Sequence, residues 1–112
     1  CGDPNPVLDP LAVYCANSED HPAPVASKRP NAWGLFDMLG NVVEWTFDAF
    51  AGHGAVAETD PLRLEGEDRV VRGGGCSDQG HQCRSGAREA LSPGQRFTFA
   101  GFRPVRTVGP AR

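Results

Sequence analysis

At 112 residues the chain has room for one domain and not for two, and 14 glycines with 10 prolines against 39% hydrophobic content favour a loop-rich fold over a helical bundle. A formal net charge of -3 leaves no broad basic field, which argues against nucleic acid or an anionic membrane as a partner. No apolar run approaches membrane-spanning length, so no membrane span is expected.

Residues 1–30 carry prolines at 4, 6, 10, 22, 24 and 30, which forbid a sustained helix or a central strand. The apolar piece Leu11-Ala12-Val13-Tyr14-Cys15 packs as a short segment, and Asn17-Ser18 reads as a turn. His21, Lys28 and Arg29 read as surface. Gly34 to Leu39 is apolar on most sides and too short for a free helix, so the expectation is a single buried helical turn. Gly40-Asn41 ends it, because both residues tolerate left-handed backbone angles. Val43, Trp45 and Phe47 then alternate with Val42, Glu44 and Thr46, the period of a half-buried strand, with Phe47 and Phe50 directed at the core. Ala51 to Gly66 lacks either period and reads as a long surface loop with His53 at its tip.

Arg69-Val70-Val71-Arg72 predicts a strand, and Gly73-Gly74-Gly75 permits close backbone approach or a bulge. Cys76 to Gln82 is polar and turn-rich. In Arg84-Ser85-Gly86-Ala87-Arg88 large and small residues alternate, which would put both arginines on one strand face. Ser92-Pro93-Gly94 opens another loop. Gly101 to Arg106 reads as the last strand, with Pro104 at an edge or bulge, and 107–112 as a frayed tail.

The run Asn31-Ala32-Trp33-Gly34-Leu35-Phe36-Asp37-Met38-Leu39-Gly40-Asn41-Val42-Val43-Glu44-Trp45 resembles the signature of the formylglycine-generating enzyme, or sulfatase-modifying factor, family. The later blocks Arg69 to Gly75, Arg84 to Arg88 and Gly101-Phe102-Arg103 follow in family order, which makes the likeness specific. It implies an α+β, C-type-lectin-like fold with short antiparallel strands and long ordered loops. It also implies that residues 1–112 form the C-terminal part of a domain about twice this length, the partner being the missing N-terminal half of the same domain.

Two metals enter as expectations. Asn41, Glu44 and the carbonyls of the valines between them, Val42 first, offer hard oxygens on a sharp turn, and the resemblance implies a structural calcium there. The competing arrangement has Asn41 capping the turn and Glu44 paired with an arginine. Catalytic members of the family use two closely spaced cysteines on Cu(I) to turn a substrate cysteine into formylglycine, and soft thiolates suit that ion. Here Cys83 stands where the second cysteine falls, Asp78 replaces the first, and Cys76 lies two residues upstream of it.

The expectation is therefore a divergent, non-catalytic member whose loops, with Ser77, Asp78, Gln79, His81 and Arg84 exposed on them, bind a protein or peptide ligand. The alternative is the copper-dependent oxidase, with Cys83 and Cys76 as its catalytic pair. Arg72, Arg84, Arg88 and Arg103 read as ties within the fold ahead of clamps for an anion.

Overall fold

The computed structural model describes residues 1–52 and 62–110, so His53 lies outside the described residues. Four short strands form one sheet: β1 (Val43–Ala49), β2 (Arg69–Arg72), β3 (Glu89–Leu91) and β4 (Ala100–Gly101), in the order β3-β2-β1-β4. β2 runs antiparallel to both β1 and β3, and β4 lies parallel to β1. A four-residue 3₁₀ helix, Gly80–Cys83, is the single helical element among the described residues. The frame of short strands and long loops is the loop-rich α+β architecture expected.

Val43, Ala49, Val70 and Val71 are all buried, and because Val70 and Val71 are successive residues of β2 the sheet buries apolar side chains on both faces. A second cluster forms beside it from Ala12, Tyr14 and Cys83, with Leu8, Ala16 and Leu39 packed around them. The N-terminal apolar piece thus packs as a core segment. Asn17 clasps it: its Oδ1 accepts from Tyr14 N at 3.0 Å and its Nδ2 donates to Ala12 O at 3.0 Å. Cys1 and Cys15 are joined in a disulfide that closes this segment.

Gly40 ties these parts together. Its φ is +74°, and an added Cβ would fall on the carbonyl oxygen of Val13. Gly40 N donates to Gly73 O at 2.7 Å, Asn41 N to Val13 O at 2.7 Å, and Cys76 N to Asn41 O at 2.8 Å. Asn41 follows with φ +71°, so both residues adopt the left-handed geometry their chemistry permits. Gly74 repeats the device, since at φ +71° its missing side chain leaves the space filled by Cys83.

Four local expectations need correction. Gly34 to Leu39 forms no helical turn and is not buried: Trp33 is 85% exposed, and Leu35, Phe36 and Met38 are also exposed. Asn31 is the cause. Its Oδ1 accepts from Trp33 N and Leu35 N at 3.0 Å each, so the side chain takes the amides a helix would need. Phe47 and Phe50 point outward, not inward, with Phe47 77% exposed. The register of β1 against β2 shifts between Trp45 and Ala49, and Thr46 Oγ1 bonds Val70 O at 2.9 Å inside that bulge, which breaks the two-residue alternation.

Arg84 to Arg88 is not a strand either. A turn closes it, Ala87 N donating to Arg84 O at 2.9 Å, and pairing starts only at Glu89. The last strand stops at Gly101, and Arg103, two residues on, pairs with Glu44.

Candidate functional site

The segment from Gly75 to Arg84 carries every residue expected on a binding loop. Asp78 fixes its start: Oδ2 accepts from Gly75 N at 2.7 Å while Asp78 N donates to Gly75 O at 3.1 Å. Asp78 O accepts Cys15 N at 2.9 Å, so the loop is pinned to the N-terminal segment. Ser77 Oγ donates to Asp20 Oδ1 at 2.6 Å. Gln79 and Gln82 cap the 3₁₀ helix reciprocally, and Arg84 Nη1 closes its far end on His81 O at 2.6 Å. Ser77, Gln79, His81 and Arg84 are exposed, as a binding surface requires.

Behind Ser77 and Asp78 lies a cavity of about 140 Å³, whose other walls are Gly75, Glu89, Leu91 and Phe99. Glu89 was not legible as a site residue, since one glutamate in a turn-rich stretch carries no motif. Its carboxyl is pushed above the ordinary carboxylate value of 4.5, first by desolvation and then by the negative charge of Asp78, with a hydrogen bond from Gln82 opposing. The cavity therefore holds two acids, one from the loop and one from β3, against an aromatic and aliphatic wall. Such a cavity suits a cationic group, which would relieve the repulsion and sit against a π face.

The two free thiols are both buried, and the sulfur pair that the resemblance implies for Cu(I) is incomplete, since Asp78 stands at its first position. Cys83 sits in the cluster with Ala12 and Tyr14, and burial, reinforced by Asp78 and Glu89, pushes its thiol up to about 11. A thiol held protonated is a poor nucleophile. Cys76 is anchored through its backbone, its carbonyl accepting Ser18 Oγ at 2.7 Å, and the position of the expected partner sulfur is a hard carboxylate, Asp78.

The side-chain oxygens at the Gly40 turn are also taken. Asn41 Oδ1 accepts Ala23 N at 2.9 Å and Asp37 Oδ2 accepts Ala26 N at 2.7 Å. Glu44 is held by Arg103, whose Nε reaches Oε2 at 2.9 Å and whose Nη2 reaches Oε1 at 2.6 Å. Asn41, Val42 and Glu44 line one open cavity of about 270 Å³ together with Asp37, yet a guanidinium lies among these oxygens. Calcium needs six to eight oxygens around one point, and as arranged these donors do not fit it. The other arginines are likewise internal ties: Arg72 Nη1 bonds Ser85 O and Ala87 O, and Arg88 bonds Ala51 O and lies over the Phe50 ring.

The Sulfatase-modifying factor enzyme 1-like domain profile matches residues 9–108. The chain belongs to that family. It is 37% identical to the mouse formylglycine-generating enzyme over 86 residues, which is 72% of this chain and 23% of the enzyme. The chain thus spans about a quarter of the length of that relative. Among solved structures, the Treponema denticola variable protein 1 superposes with a TM-score of 0.78 at 35% identity, over 85% of this chain and 35% of that one. PvdO from Pseudomonas aeruginosa gives 0.71 at 32% identity, over 83% and 38%. These likenesses carry the C-type-lectin-like fold of the family to this chain.

The acid pair has a measurable signature. A carboxyl whose folded pKa is raised favours the fold when protonated, so its contribution is complete at low pH and fades as pH rises through the folded value. Glu89→Gln is therefore expected to raise the melting temperature at pH 7, with the difference closing below about pH 4.5; thermal unfolding across that range checks it.

Proposed function

We propose that this chain is a divergent, non-catalytic member of its family, and that the Gly75–Arg84 loop binds a protein or peptide ligand through a lysine or arginine side chain. One observation carries the reading: where the resemblance implies the first of an oxidase's paired sulfurs, this chain has Asp78, whose carboxylate closes a turn on Gly75 N. The acidic, aromatic-walled cavity at Ser77, Asp78 and Glu89 supports the choice of a cationic group. Gln79, His81 and Arg84 form the outer rim that contacts the rest of the ligand. The copper-dependent oxidase is the competing outcome of the test.

Calorimetric titration with a lysine-containing and an arginine-containing peptide is expected to give binding that weakens at least about tenfold in Asp78→Asn and in Glu89→Gln. A cysteine peptide with Cu(I) is expected to produce no oxygen consumption. Oxygen uptake abolished by Cys83→Ala would establish the oxidase and end the binding-module reading.

The same reading assigns a partner to the exposed apolar side chains. Trp33 is 85% exposed, Phe102 80% and Val25 83%, more than a lone folded domain usually presents. We infer that further polypeptide of the same domain, of the kind that makes up the remaining length of the relatives, covers them. Trp33 fluorescence is expected to shift to shorter wavelength when that polypeptide is present; unchanged emission at the exposed-indole wavelength contradicts it.

A further inference from the structure

We propose that Arg103 is the chain's own cation at the Gly40 turn, doing by covalent connection what a bound metal would do there, so that this turn is independent of calcium. The geometry is a guanidinium among four oxygens. Nε and Nη2 take the two carboxylate oxygens of Glu44 at 2.9 and 2.6 Å, and Nη2 also donates to Phe36 O at 2.8 Å and Asp37 O at 3.2 Å. These acceptors belong to separate stretches, the loop before Gly40 and strand β1, while Arg103 follows β4. One side chain therefore fastens three pieces of backbone.

The chemistry favours arginine for this work. A planar fork meets a carboxylate bidentately and still has a hydrogen directed at carbonyls, which a lysine point charge does not match. The hydrogen bond to Glu44, and then the negative charges of Glu44 and Asp37, hold the guanidinium in its charged form against the opposing effect of desolvation. Glu44 and Arg103 are about one-quarter to one-third exposed, at 23% and 31%, so the pair is partly shielded from water and its hydrogen bonds count for more than those of a surface pair. A calcium ion entering the same oxygens would have to displace a cation that cannot diffuse away.

The test compares melting temperatures of the purified protein in excess EDTA and in millimolar calcium. The expected result is no difference for the native protein. Arg103→Met is expected to melt lower by at least about 5 °C and to recover part of that loss in calcium, because the vacated oxygens now accept an added cation. Terbium luminescence provides a second reading, absent in the native protein and present in the variant. Should Arg103→Met fail to fold, Arg103→Lys replaces it, with the same partial loss and a smaller response to calcium. A native protein stabilised by calcium and weakened by EDTA would overturn the proposal, as would an Arg103 variant that melts like the native chain in every buffer.

Discussion

The close approach of main chain to main chain where Gly40 crosses Val13 is the constraint the described structure is built around. No side chain fits at that crossing, and the amides around it are shared out among three distant stretches: Gly40 to Gly73, Asn41 to Val13, and Cys76 to Asn41. A fold with strands of two to seven residues lacks the long ladders that hold a larger sheet. Buried backbone groups still need partners, and here the turns supply them. The central fifteen-residue block is therefore a junction, with the N-terminal segment, the triple glycine and the sheet meeting at one point.

The candidate binding loop inherits its shape from this junction. Gly73 and Gly74 both have positive φ, and the open space at Gly74 lets Cys83 enter the core, which in turn directs Gly75 to Gln82 outward over the acidic cavity. The same burial that seats Cys83 pushes its thiol pKa up. Packing and catalysis make opposite demands on that sulfur, since a core thiol is stabilised by the desolvation that keeps it protonated. Asp78 shows the same division, its carboxylate closing a turn on Gly75 where the resemblance led one to look for a sulfur. Arg103 extends the pattern, binding the turn's carboxylate from within the chain.

How much of this could be read from residues alone depended on whether local chemistry or tertiary contact decided the outcome. Gly40-Asn41 and Gly73-Gly74 were legible, because positive φ is a property of the residue types. β2 was legible for a related reason, four residues of β-forming and charged character ending at glycine. The Trp33 to Leu39 loop was not, because one amide oxygen on Asn31 outweighed an apolar pattern. Phe47 was lost to a bulge that depends on pairing with β2, and β3 was hidden because Arg72 holds the preceding residues in a turn. Of the residues lining the cavity, Asp78 was singled out by the cysteine spacing and Ser77 as part of the loop surface. Glu89 and Phe99 reach the cavity from elements that meet it only in three dimensions.

Gly34 and Gly40 allow the junction to be weighed directly, since their φ values are +76° and +74° but an added Cβ meets nothing within 4 Å at the first and the Val13 backbone at the second. Equilibrium denaturation of Gly34→Ala and Gly40→Ala thus separates backbone strain from close approach. The account predicts a loss of about 1 kcal/mol for Gly34→Ala, and for Gly40→Ala a loss of at least about 3 kcal/mol or no cooperative transition at all. Equal losses at the two positions would contradict it.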